Sequence, residues 1–330
     1  MIITRTPFRI SLAGGGTDFK NFYKNKDGKV LSFSIDKYIY VMAKRQLGIV
    51  DHKYKISWSR VEFCNKIKEI QHPIVRETLK YFKIDYPIEI STYADVPSNT
   101  GLGSSSAFAV GLVNAICSLQ NKKLSKNEIA KIASKIEVDT LKRPMGRQDH
   151  YACCFGGINK ITFKKSKILV KPLFKDKKFL KVIKNNFLLF YTDIRRDSSK
   201  ILKEQFHINN NQEKTLCKMR DQVDQLINLV KNNKNTSEIG NILNTGWSLK
   251  KSISSKISNS KIEKYYKIAK KNGSTGGKLL GAGGGGFLLI YAPDNKKQKI
   301  LKSLRGLFRL EFNLDFEGTQ ITHHNKSIKK

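Results

Sequence analysis

Three segments of this chain place glycine beside residues that could do chemistry: Ser11 to Phe19 (SLAGGGTDF), Pro97 to Ala107 (PSNTGLGSSSA) and Gly273 to Ile290 (GSTGGKLLGAGGGGFLLI). The middle one is the most informative. Its small polar residues run straight into the apolar stretch Ala107 to Leu119, so the pattern predicts a loop fixed at the N-terminus of a buried helix, not a flexible linker. Unpaired backbone N–H groups at such an end make an anion site, and Gly101 and Gly103, flanking Leu102, let them reach phosphate oxygens that a Cβ would shield. Ser104, Ser105 and Ser106 add hydroxyls, one of which could hold Mg²⁺ beside a carboxylate. Glu137 is the candidate carboxylate: on its expected helix it falls in line with Ala130, Ala133 and Leu141, an acid on an otherwise apolar edge.

Two further acids stand next to glycine. Asp149, in GRQDHYACCFGG, lies between Gly146 and the Gly156-Gly157 pair, and reads either as the backbone cap of a turn or as a catalytic base. Asp18 follows Gly14 to Gly16, either as a turn residue or as an acceptor for substrate hydroxyls. Neither familiar nucleotide loop fits. A Walker loop needs Ser or Thr after Gly-Lys, whereas Gly277-Lys278 is followed by Leu279. Gly281 to Gly286 has the dinucleotide spacing, but its strand, Phe287 to Tyr291, comes after the glycines instead of before them.

Positioning these groups requires a mixed fold. Ile2 to Thr4 and Phe8 to Leu12 read as short strands, Val30 to Lys44 as a strand pair, and Tyr54 to Trp58 and Ile88 to Tyr93 as further strands. His72 to Phe82 and Leu124 to Leu141 have helical spacing, the second opened by a Ser125/Glu128 capping box. A boundary is expected near Lys184, giving domains 1–184 and 185–330. The second half begins with the strand FLLFYTDI and continues through helical stretches at Ser198 to Asn233, Ile239 to Lys251 and Ile262 to Asn272. It closes with strands at Phe287 to Tyr291, Leu307 to Leu314 and Thr319 to Thr322 around a helix near Gln298. The expected class is α+β.

Composition narrows the partners. The 330 residues carry a net charge of +35, which suggests polyanions and keeps nucleic acid as a rival partner. The lysines are scattered through most segments instead of forming a basic arm, as on a solvated surface. No signal peptide or membrane-length apolar run is visible, and five cysteines without metal spacing suit a reducing compartment, so the cytoplasm is expected.

Taken in order, the motifs resemble the three signatures of the GHMP kinase family: TPFRISLAGGGTDF at Thr6 to Phe19, PSNTGLGSSSA from Pro97, and KLLGAGGGGF at Lys278 to Phe287. The resemblance covers essentially the whole chain. It implies an N-terminal α/β domain with a left-handed β-α-β crossover and a C-terminal ferredoxin-like domain, with ATP and acceptor meeting in the cleft. It also implies roles. Pro97, Gly101, Leu102, Gly103, Ser104, Ser105 and Ser106 would bind ATP, and Ser105 with Glu137 would hold Mg²⁺. Asp149 would be the catalytic Asp, supported by Arg9. Gly15, Gly16, Thr17 and Asp18, with Gly283 and Gly284, would face the acceptor. The Gly14-Gly15-Gly16-Thr17-Asp18 run lacks the Glu-His of galactokinases and mevalonate kinases. With HPIVRE at His72 to Glu77 it is most similar to heptose 7-phosphate kinases, which phosphorylate C1 on the bacterial route to GDP-heptose for surface polysaccharide; fucokinase-type enzymes come next. A phosphorylated acceptor needs a second anion site, for which Arg143, Arg147, Arg195 and Arg196 are candidates, Arg195 foremost. A small-molecule sugar phosphate and MgATP are therefore the expected partners, with a homodimer possible and neither nucleic acid nor membrane involved. Trp58 reads as core before it reads as a base pocket. A binding protein on the same fold is the rival that Asp149, Glu137 and the serines oppose.

Overall fold

The structure is a computed structural model that describes residues 1–173, 177–194, 201–202, 209–232 and 236–325. In chain order the first half contributes β1 (Ile2–Ala13), α1 (Lys20–Tyr23), β2 (Gly28–Arg45), β3 (Tyr54–Ser57), β4 (Val61–Cys64), α2 (Pro73–Tyr81) and β5 (Ile88–Ala94). There follow α3 (Ser104–Leu119), α4 (Lys126–Ser134), α5 (Gln148–Phe155), β6 (Ile158–Phe163), β7 (Ile168–Pro172) and α6 (Lys177–Asn186). The remainder is β8 (Phe187–Tyr191), α7 (Asn210–Lys231), α8 (Ser237–Lys251), α9 (Ser260–Lys271), β9 (Gly276–Leu279), β10 (Phe287–Tyr291), α10 (Lys297–Ser303) and β11 (Gln320–His324).

The first sheet is organised by two long strands that the sequence divides too finely. Pro7 has no N–H to give the ladder, and the β1/β2 register slips there, from Pro7 opposite Tyr38 to Phe8 opposite Ile35, without ending the strand. β2 is likewise one strand of 18 residues instead of a pair. Its length lets one edge take two partners, β6 opposite Gly28 to Phe33 and β5 opposite Ile39 to Arg45, while β1 takes the other edge. β3 pairs parallel to β5 and antiparallel to β4. β11 covers the far edge of β1 over Ile2 to Arg5, so residues 320–324 sit on the first sheet although the expected division puts them in the second half.

The second sheet is antiparallel in the order β8-β10-β9, and a bridge between Phe190 and Arg309 adds a fourth position outside β8. Strand, helices, two strands, helix and bridging segment then follow the βαββαβ order of a ferredoxin-like unit. Leu307 to Leu314 alternates like a strand but is not one. Arg309 bridges to the second sheet and Leu314 bridges to Ile35 of the first, so the segment spends its length crossing between them.

α3 is buried along nearly its whole length because the first sheet covers one side and α2, α4 and α5 cover the others. Close approach to the sheet is set at Gly111, whose carbonyl accepts from Thr4 Oγ1 at 3.0 Å. A Cβ at Gly111 would lie 3.0 Å from Thr6 Oγ1 and 3.3 Å from Thr4 Oγ1. Among the described residues no helix is long and apolar enough to cross a membrane. Gly111→Val is expected to push α3 away from β1, destabilising the protein by about 1–3 kcal/mol in urea unfolding through overpacking.

Candidate active site

A cavity of about 390 Å³ opens where β1, the glycine turn after it, the first turns of α3 and α5, and the third glycine segment converge. Its organising contact starts on β1. Arg9, 3% exposed, donates from Nε to Asp149 Oδ1 at 2.7 Å and from one terminal nitrogen to Asp149 Oδ2 at 2.6 Å. Its other terminal nitrogen donates to the Gly101 carbonyl at 2.7 Å. Burial pulls the guanidinium pKa down, but Asp149 outweighs it and the net shift is upward, so the charge is retained inside the protein. The sequence leaves Asp149 in a turn; the structure puts it in the first turn of α5, where the helix dipole favours an anionic side chain.

Packed against Arg9, Gly103 caps α3 in the left-handed conformation, with φ of 81°. Among the described residues no side chain caps the helix, and its first N–H groups, beside Ser104, Ser105 and Ser106 at the cavity wall, form the kind of end that can take an anion. Gly101, at φ of 88°, lies so close to the third segment that a Cβ would stand 2.6 Å from the Leu280 carbonyl oxygen.

Ser105 Oγ donates to Glu137 Oε1, and Arg143 donates to the same two oxygens at 2.7 and 2.6 Å. His150 Nε2 meets Glu137 Oε2 at 2.8 Å. Glu137 is fully buried, as its apolar edge predicts, but the expected helix changes to a π-helical turn over Lys135–Thr140. Burial pushes the Glu137 carboxyl up, while the bonds from His150, Arg143 and Ser105 bring the net shift below its ordinary range. A hydroxyl and a carboxylate at one point are hard-oxygen ligands of the kind Mg²⁺ takes, so the donor chemistry fits. Arg143 stands on the same oxygens and is the protein's own cation there. Among the described residues no group of three His, Cys, Asp or Glu could hold a metal, so further ligands would come from phosphates and water.

Asp18, 1% exposed, accepts from Gly16 N at 2.9 Å, Gln148 N at 3.0 Å and Gln148 Nε2 at 3.1 Å. Gly146 makes this packing possible, since a Cβ there would lie 1.9 Å from Asp18 Oδ2. Gly15 and Gly16 line the cavity with Asp18, whereas Thr17 is buried and bonds the carbonyls of Gly14 and Lys29. Leu102 is buried and Pro97 is exposed, accepting from Thr100 Oγ1; neither lines the cavity. Gly283 and Gly284 pack on Ile257 instead of facing the cavity. Arg195 and Arg196 lie outside the described residues. Arg147 is bound to Asp139 at 2.6 Å. Trp58 is half-buried, edge-on to His72, which in turn packs on Phe108 of α3.

Several lining residues escape sequence reasoning: Ser11, Gln148, Met219, Lys250 and Lys278. Burial raises the pKa of Asp18 above its ordinary 3.8, more than the N–H bonds lower it, and Asp149 adds to the rise. A carboxyl raised by folding holds its proton more tightly in the folded state, so its ionisation weakens the fold as pH climbs through the window just above 3.8. The wild-type stability minus that of Asp18→Asn is therefore expected to fall as pH rises from about 3.5 to 7, read by urea unfolding at each pH.

Comparison with known proteins agrees with this geometry. GHMP kinases N terminal domain matches residues 65–157, and GHMP kinases C terminal matches residues 223–310. A D-glycero-alpha-D-manno-heptose 7-phosphate kinase of Campylobacter jejuni is 34% identical over 321 residues, covering 92% of this chain and 93% of that protein. A crystal structure of a putative sugar kinase from Campylobacter jejuni superposes with a TM-score of 0.75 at 29% identity, covering 97% of each chain. A D-glycero-D-manno-heptose 1-phosphate kinase from Bacteroides thetaiotaomicron shares the fold, with a TM-score of 0.80 at 21% identity over 99% of this chain and 100% of that one. With three signatures in order, both domains matched and the full length aligned, the chain belongs to the GHMP kinases, phosphotransferases with an alcohol group as acceptor.

Proposed function

We propose that this chain transfers the γ-phosphoryl group of ATP to the anomeric C1 hydroxyl of D-glycero-D-manno-heptose 7-phosphate, giving the 1,7-bisphosphate for GDP-heptose and surface polysaccharide synthesis. The supporting observation is the Arg9–Asp149 pair packed beside the start of α3, with both lining one cavity. The division into residues 1–184 and 185–330 is part of the same reading, with the cleft between them and residues 320–324 returning to the first sheet.

Phosphates would lie against the N–H groups from Gly103 to Ser106. Ser105 and Glu137 would hold Mg²⁺, which when bound neutralises charge on the phosphate oxygens. The acceptor oxygen attacks the γ-phosphorus as the bond to the bridging oxygen breaks, and that electron pair leaves with ADP. Asp149 takes the hydroxyl proton. The anomeric hydroxyl is more acidic than other sugar hydroxyls, so a carboxylate suffices as base. Arg9 holds both Asp149 oxygens from one side and thereby aims the carboxylate. Asp18, which accepts from Gly16 N and Gln148 N, would accept from a second acceptor hydroxyl. The phosphate already on the acceptor needs its own cation; Arg143 and Arg147 are held by Glu137 and Asp139.

The test is ADP release with MgATP across heptose 7-phosphate, sedoheptulose 7-phosphate, mannose 6-phosphate, fucose, galactose and mevalonate. Turnover confined to the heptose phosphate is expected; turnover on fucose instead moves the assignment to a fucokinase-type enzyme, and silence on all six overturns it. Asp149→Asn is expected to lower kcat at least about a hundredfold with nucleotide affinity nearly unchanged, and near-normal turnover of the folded variant overturns its role as base.

A further inference from the structure

Among the described residues, Lys278 in the cleft meets no counterion. Lys278 comes from β9, whose four residues are all buried, and its own exposure is 8%. Its ammonium donates to the Leu12 carbonyl at 3.1 Å, and among the described residues no carboxylate lies within ion-pairing distance. Arg9 and Arg143 on the same cavity each face a carboxylate. Burial, and then the like charge of Arg9, pull the Lys278 pKa down to about 8. Next to Leu12, the Ser11 hydroxyl also lines the cavity, 7% exposed and with no hydrogen-bond partner among the described residues.

A buried ammonium beside another cation weakens the fold unless something negative joins it. An ammonium also has three donors, of which the Leu12 carbonyl occupies one. We propose that Lys278 Nζ and Ser11 Oγ form a subsite for a phosphoryl oxygen on the floor of the cleft, where the ligand completes an electrostatic pair that the free protein leaves open. The proposal rests on the phosphotransferase reading. The oxygen belongs either to the phosphoryl group in transfer or to a phosphate ester already on the acceptor.

Lys278→Met and Ser11→Ala separate these sources from a purely structural role. Lys278→Met, freed of the unpaired charge, is expected to melt at a higher temperature than wild type while kcat/KM falls about a hundredfold or more. Loss in kcat with calorimetric binding of AMPPNP and heptose 7-phosphate retained assigns the oxygen to the group in transfer. Weakened binding of heptose 7-phosphate alone assigns it to the acceptor ester. Unchanged kinetics and binding in Lys278→Met overturn the subsite. Where Lys278→Met is unstable, Ser11→Ala decides, a loss of about tenfold in kcat/KM supporting the subsite and wild-type values overturning it. Should wild type phosphorylate no acceptor, the reaction assigned above fails by itself. The subsite then stands or falls on calorimetry with inorganic phosphate, which wild type must bind and Lys278→Met must not.

Discussion

The fork of the Arg9 guanidinium is the contact on which the site depends. Its donors are planar and rigidly spaced, so bonding both oxygens of Asp149 with two nitrogens leaves the third aimed in a fixed direction, and the Gly101 carbonyl stands there. One side chain on the central sheet thus sets the relative position of the α5 N-terminus and the loop before α3. Lysine could carry the charge but not the angle between the bonds.

The glycines serve backbone packing as much as ligand access. A Cβ on Gly101 would meet Leu280, one on Gly281 would meet Gly101, and one on Gly286 would lie 2.2 Å from the Thr100 carbonyl oxygen. The second and third glycine segments are therefore pressed main chain to main chain, and the Phe287 N–H completes the join by donating to the Thr100 carbonyl at 3.0 Å. The cleft is rigid at the seam where the two sheets' connecting loops meet. Gly283 and Gly284, expected at the acceptor, pack instead on Ile257, away from both this seam and the cavity.

What the sequence makes legible follows from how strongly each residue type contrasts with its surroundings. An acid on an apolar helix edge stands out, and Glu137 is buried as expected; small polar residues ahead of an apolar run stand out, and they open α3. The π-helical turn under Glu137 leaves no such mark, because it shifts hydrogen bonds without changing residue types. Asp149 looks like a turn residue because the helix behind it is only eight residues long and too weakly patterned to stand out from the glycines on either side. Alternation cannot tell a strand from an extended crossing, hence the misreading of Leu307 to Leu314. Lys278 is invisible for a plainer reason: in a chain with 62 Lys and Arg, one more lysine carries no signal until its burial is known.

The return of β11 to the edge of β1 ties the last described strand to the first, with Ile2 opposite His324. During synthesis, the Ile2 to Arg5 edge of the strand that bears Arg9 therefore lacks its β11 partner until residues 320–324 have left the ribosome. Completion of the first sheet involves contacts of very high sequence separation, which are slow to form. Until then that edge of β1 is open to other chains, and the nascent protein depends for its solubility on how quickly residues 320–324 fold back.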